Sequence, residues 1–171
     1  PFFDMRTLDG DASLVEDLCE HIHREIEHNP DFIPLLASDA IANLPPVTIF
    51  RDSVMDQEGT LWTCVDLQSH ALVPLADLAR VLSIRYGFLS TSSTVERFSL
   101  VAEVLPELKD LFDEAREAMR FVLGLRGDDG QFVRPSEVSR LEQERLKNVF
   151  RTVARLMEFS QRHFELVSIE D

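Results

Sequence analysis

An all-α fold, a helical bundle of about five to six helices with a minor β element, is what the order of residues predicts. Apolar residues recur at three- and four-residue steps over long stretches, which is the period of a helix. Only 6 of the 171 residues are Gly, so little interrupts those stretches. Val47 to Val65 is the least helical part.

The elements follow in order. Phe2 to Leu8 alternates, with Phe3, Met5 and Thr7 set against Asp4 and Arg6, and reads as a strand. Asp9-Gly10-Asp11 makes a turn, and Asp11 or Ser13 caps a helix running to about Glu27, with Leu14, Leu18, Ile22 and Ile26 spaced by four. Asn29-Pro30 breaks it. A second helix covers roughly Asp31 to Leu44, and Pro45-Pro46 stops it. Val47, Ile49 and Phe50, a turn at Asp56 to Gly59, and a return from Leu61 to Val65 make a short hairpin.

The stretch from Asp66 to Tyr86 is the one the chain is organised around. Leu72, Leu75, Leu78, Ala79, Leu82 and Tyr86 share one helix face; Ser69 stands at the N-cap, Pro74 in the first turn, and Gly87 at the left-handed end. A Ser/Thr-rich loop leads to a helix capped by Ser93 or Thr94 and ending near Leu105. Pro106 opens the next helix, which runs to about Leu125 and buries Leu108, Leu111, Phe112, Ala115, Met119, Val122 and Leu123. Gly127 to Gly130 is a turn. The last helix spans about Pro135 to Phe164, with Leu141, Leu146, Val149, Phe150, Val153, Leu156 and Met157 inward and Glu144, Arg145, Arg151 and Arg155 outward.

Composition bounds the function. A net charge of −14 argues against nucleic acid as a main partner, because phosphates are bound by clustered Lys and Arg. It leaves room for a small anion held by a few local Arg. Two Cys, Cys19 and Cys64, make neither a disulfide framework nor a zinc site, so a reducing cytoplasm is expected. No apolar run approaches the roughly 18 residues of a membrane helix, and no membrane partner is expected. The chain opens inside an apolar run, Pro1-Phe2-Phe3, and reads as a piece of a longer protein.

No complete catalytic set occurs: GxSxG, HExxH, paired CxxC and P-loop patterns are all missing. His21, Glu25 and His28 share a helix face at a spacing that could bind a metal, but a solvated polar face is the reading expected of them. His163 reads as one more polar residue of the charged last helix. The candidates with most to explain are Asp66, His70, Asp77 and Arg80, polar groups on and beside an otherwise apolar helix. Asp77 and Arg80, three apart, can pair, and Arg97 with Glu96 adds a second pair. Such cations in an acidic protein suit an anionic small molecule; as a static ion-pair network they need no ligand.

At these residues the sequence resembles a bacterial family. Asp66-Leu67-x-x-His70-Ala71-Leu72-x-Pro74-x-x-Asp77-x-Ala79-Arg80 is similar to the DLKxHGLxPxVDxAR run of a helical domain described as the substrate-binding domain of nucleotidyltransferases related to PII-uridylyltransferase. Thr94-x-Glu96-Arg97 resembles its TxER, and Ser139-x-Leu141-Glu142 with Leu146-Lys147 its LSxLE…LK. Gly10-Asp11-x-Ser13-Leu14 and Pro45-Pro46 also fit. Ala71 stands where the family usually has Gly, and Gly127 to Arg134 replaces a longer segment rich in Arg, His and Gln.

The resemblance implies two parts: residues 1–8 as the last strand of a nucleotidyltransferase core otherwise missing, with Asp4 its remaining carboxylate, and residues 9–171 as the helical domain. For an anionic substrate the expected binding residues are His70, Arg80 and Arg97, polar groups that can donate to phosphate or carboxylate, with Asp66 and Asp77 orienting them. No catalytic residue or cofactor is expected in this chain, and Mg²⁺ is expected in the missing core, because one carboxylate cannot hold it. Expected partners are that core, regulatory modules of the CBS-pair or cyclic-nucleotide-binding kind, an anionic small molecule or protein acceptor, and a second copy of the chain. The alternative is a non-enzymatic helical module that only dimerises or couples regulatory domains.

Overall fold

The computed structural model describes residues 5, 9–11, 13–42, 65–125, 132–134 and 137–164. Among them six α-helices form a bundle with one two-stranded sheet, as the sequence predicts. The expected strand over Phe2 to Leu8 lies outside the described residues apart from Met5. So do the extended piece from Val47 and the turns at Asp56 to Gly59 and Gly127 to Gly130. No helix of the described residues is long and apolar enough to cross a membrane.

Helix α1 (Ser13–His28) is entered through Asp11, whose Oδ1 accepts the Ser13 N–H at 3.0 Å while its carbonyl accepts the Leu14 N–H at 3.3 Å. The Ser13 N–H and hydroxyl hold the Asp11 carboxyl below the usual carboxylate range. The expected stripe is only half right. Leu14 and Leu18 stay exposed, and it is Cys19, Ile22 and Ile26 that pack on a small cluster around Ile33, Ile84 and Leu89. The apolar period therefore runs further along α1 than burial does. Helix α2 (Phe32–Ala42) buries Ile33, Ala37 and Ala40 and packs on the central helix.

That central element begins at β1 (Val65–Asp66), passes through a π turn (Gln68–Leu72) and continues as α3 (Val73–Arg85). In the π turn the Val73 N–H reaches the Gln68 carbonyl, five residues back instead of four. Pro74 explains it. In a regular α-helix its ring would strike the carbonyl four residues back, that of His70, and the wider turn opens room for it. Leu67, Leu75, Leu78, Ala79 and Leu82 are at most 1% exposed, and Val81 and Ile84 are buried on other faces, so this helix is enclosed nearly all round.

Gly87, with φ +79°, ends α3 in a Schellman motif. Its N–H bonds to Ile84 O at 3.0 Å and that of Phe88 to Ser83 O at 2.8 Å.

Helix α4 (Thr94–Val104) starts at Ser93, whose side chain accepts the Glu96 N–H, and packs between α3 and the next helix. Leu105 and a 3-10 turn (Pro106–Leu108) reverse the chain into α5 (Lys109–Leu125). Leu111, Phe112, Ala115, Ala118 and Val122 are buried there, whereas Leu123, expected inside, is 48% exposed. Strand β2 (Phe132–Val133) then pairs antiparallel with β1, Val65 opposite Val133 and Asp66 opposite Phe132. Val65, the last residue of the expected hairpin, is in a strand and pairs with a residue remote in sequence; the rest of that hairpin lies outside the described residues.

Helix α6 (Arg140–His163) begins later than expected. Ser139 and Glu142 form a capping box there, each side chain satisfying the other's backbone N–H, so the start is fixed at Arg140 rather than near Pro135. Leu141 falls in the first turn, 70% exposed, while Leu146, Val149, Phe150, Val153, Leu156 and Met157 fill the core. Phe112 sits at the centre, stacked on Phe98 and edge-on to Phe159.

Candidate functional site

The polar groups of the central helix gather where β1 turns into the π turn. The Asp66 carboxylate closes that corner: Oδ1 accepts the Ser69 N–H at 3.1 Å and Oδ2 the Ser69 hydroxyl at 2.8 Å. Asp66 is therefore the capping side chain, and Ser69, expected in that role, is its donor. The helix starts earlier than the sequence suggests because the π turn adds a turn ahead of Pro74.

His70 Nδ1 lies 2.8 Å from the Asp66 carbonyl oxygen. A carbonyl can only accept, so Nδ1 carries the proton, and in the neutral ring Nε2 is left as the acceptor. The ring is half-buried.

About two turns further on, the Asp77 carboxylate and the Arg80 guanidinium form an ion pair, with side chains 31% and 20% exposed. Arg97 lies on a different helix, α4, and is only 2% exposed. A guanidinium so deep in a bundle is tolerated only when it is partnered. Asp66, His70, Arg80 and Arg97 each make at least one further interaction. Glu96, the expected partner of Arg97, faces elsewhere: its Oε2 accepts the Thr91 hydroxyl at 2.5 Å. Among the described residues the structure joins Asp66 to His70 and Asp77 to Arg80, and it places Arg97 on the neighbouring helix α4.

The other candidates separate cleanly. His21, Glu25 and His28 are exposed, the His28 Nδ1 donates to Arg24 O at 2.6 Å, and among the described residues no three His, Cys, Asp or Glu stand together to hold a metal. His163, by contrast, is more than a surface residue. Its Nε2 lies 3.1 Å from the Tyr86 hydroxyl, and its ring packs against Phe159 and Phe164. Burial, with help from Arg85, pushes its imidazole below the ordinary histidine value, and burial pushes the Tyr86 hydroxyl up. This junction ties the end of α3 to the end of α6. The signal for it was present in the helical period, since His163 follows Phe159 and Ser160 at steps of four and three.

A groove of about 1030 Å³ runs between α5 and α6, and none of the five candidate residues lines it.

With that geometry in hand, comparison with known proteins is informative in one respect. No curated protein and no solved structure matches the chain. One family model matches residues 30–164, from just ahead of α2 to the end of α6. It takes in the π turn, the central helix and Asp66, His70, Asp77, Arg80 and Arg97, and leaves out α1. The chain belongs to the family described as "Putative nucleotidyltransferase substrate binding domain".

Proposed function

We propose that this domain holds the acceptor for a nucleotidyltransferase core carried elsewhere in the intact protein, a bacterial, cytoplasmic enzyme related to PII-uridylyltransferase. In that reaction an acceptor oxygen attacks the α-phosphorus of a nucleoside triphosphate. The new O–P bond replaces the bond to pyrophosphate, which leaves with the electron pair, and the acceptor proton passes to a base of the core or to water. The Mg²⁺ for this step belongs, in this proposal, to the core.

The observation that carries the reading is the family match across α2 to α6. Within that span, Arg80 is a donor placed to meet an anionic acceptor and the His70 ring is a further polar contact, because both are partly exposed. Asp66 fixes His70 through the backbone corner that it caps, and Asp77 fixes Arg80. Arg97 is buried, so its part is to hold α4 against α3 and shape the site from within.

The test is made in the full-length protein with Arg80→Gln and Arg97→Gln, measuring acceptor affinity and urea stability together. Arg80→Gln should weaken acceptor binding with little change in stability, while Arg97→Gln should cost stability. Arg80→Gln that binds the acceptor normally would remove the site reading and favour an interaction module without a substrate.

A further inference from the structure

The groove between α5 and α6 carries two walls of opposite charge. Asp110, Asp113, Glu114 and Glu117 line it from α5. Arg145, Arg151 and Arg155 line it from α6, and Arg120 brings the lining to four carboxylates and four guanidiniums. In a chain of net charge −14 this strip is locally balanced. The two helices run antiparallel, so the stretch from Asp110 to Phe121 spans about 17 Å of groove.

The pairing inside the strip is incomplete. Glu114 bonds across the groove to Arg155 and accepts the Thr152 hydroxyl at 3.4 Å. Arg151 donates to Asn148 at 2.9 Å, and Arg145 lies over the Phe121 ring, 5.3 Å from its centroid. Among the described residues neither guanidinium is hydrogen-bonded to a carboxylate. At the Arg145 end the strip turns apolar: Leu141, one helical turn before Arg145 on the same face of α6, is 70% exposed.

We infer that this face binds a second copy of the chain about a two-fold axis along the groove. That operation lays the acidic α5 of each copy over the basic α6 of the other and leaves every level of the groove in register. It brings the Arg151 of each copy within a turn of the partner copy's Glu117 and sets the two Leu141 side chains at the same end. A free anion fits less well, because four carboxylates face it from the opposite wall. The inference stands independently of the acceptor site, which does not line this groove. A two-helix face of this length falls at the small end of interface sizes, so dissociation constants of about 10 μM to 1 mM are expected rather than nanomolar ones.

Glu117 and Arg151 are exposed, so reversing their charges leaves the core alone. Sedimentation equilibrium of the 171-residue chain should show a weak dimer. Glu117→Arg and Arg151→Glu should each weaken it about ten-fold or more. Mixing the two variants should restore association, because each hybrid contact again sets opposite charges together. Thermal melts of both variants, matched to the parent, exclude misfolding as the cause, and Leu141→Glu gives an independent disruption at the apolar end. A parent chain that stays monomeric at about 1 mM, or a mixture no better associated than the single variants, would overturn the inference. So would pyrophosphate binding that disappears in Arg145→Gln and Arg151→Gln, which would make the groove a small-anion site.

Discussion

Gly87 offers the sharpest test of how α3 ends and where α1 docks. Its φ of +79° lies in the left-handed region, where a residue with a Cβ is disfavoured by about 1–2 kcal/mol. Alanine recovers about 0.4–1 kcal/mol by restricting the unfolded chain. A second term comes from α1, because an added Cβ would meet the His23 Cε1 at 3.2 Å. His23 is half exposed and paired with Glu27 at 3.5 Å, so it can swing aside at small cost. The net expectation for Gly87→Ala is a loss of about 1 kcal/mol, read as a lower urea midpoint with an unchanged slope.

In a His23→Ala background the same substitution should cost less, since only the backbone term remains. Gly124→Ala, on α5 with open space around it, should go the other way, stabilising by about 0.5–1 kcal/mol. A Gly87→Ala midpoint equal to or above the parent's would refute the Schellman ending. An equal cost with and without His23 would detach α1 from this corner.

Three other outcomes follow from features already described. His163 is held neutral by burial, so the unfolded chain protonates first as pH falls below about 6.5, and stability should drop from there towards the lower folded value and be flat above. His163→Phe should shrink the difference between urea midpoints at pH 7.5 and pH 5.5; an unaltered difference would assign the pH response to other groups. Leu82→Ala, at a fully buried position, should cost about 2–5 kcal/mol, against about 0.5–1 kcal/mol for Arg145→Ala, which loses only its contact with Phe121; similar midpoints would mean that the helix faces are wrongly drawn. The purified chain should release no pyrophosphate from ATP or UTP with Mg²⁺, and any such release above a blank would contradict the assignment of catalysis to a separate core.

What the sequence revealed followed from how local each signal was. The central stripe and its glycine stop were readable because Leu75, Leu78, Leu82 and Gly87 obey one helical period and one capping rule. Pro74 reads as a first-turn proline and is one, at the second position of α3; what was misread is the turn ahead of it, because Ser69 looks like an N-cap and instead donates to Asp66. The start of α6 was legible in principle, since Ser139 and Glu142 stand at the spacing of a capping box. Leu14, Leu123 and Leu141 show the opposite failure: periodicity marks a face, but only the neighbouring helices decide how far along that face burial extends.

The pairing of Val65 with Val133 was out of reach, because two residues carry no periodicity and their partner is remote. For the site, a polar group on a buried helix could be spotted one residue at a time. That Asp66 caps a corner, that Glu96 turns to Thr91 and that Arg97 is enclosed are consequences of packing.

The π turn also fixes how this protein can change in length. An α-helix advances about 100° per residue, so the additional residue ahead of Pro74 puts everything before it out of phase with everything after. Losing one residue between Gln68 and Val73 would drive the proline ring back into a carbonyl and draw β1 one step along β2, turning Val65 from the core to the surface. Adding one would displace Leu67, which is fully buried, by the same angle in the other sense. Side chains in this segment can be exchanged at the cost of their own contacts, but an insertion or deletion there would disturb the sheet, the corner and the core together. The join between strand and helix therefore works as a ruler, and the distance it measures is set by Pro74.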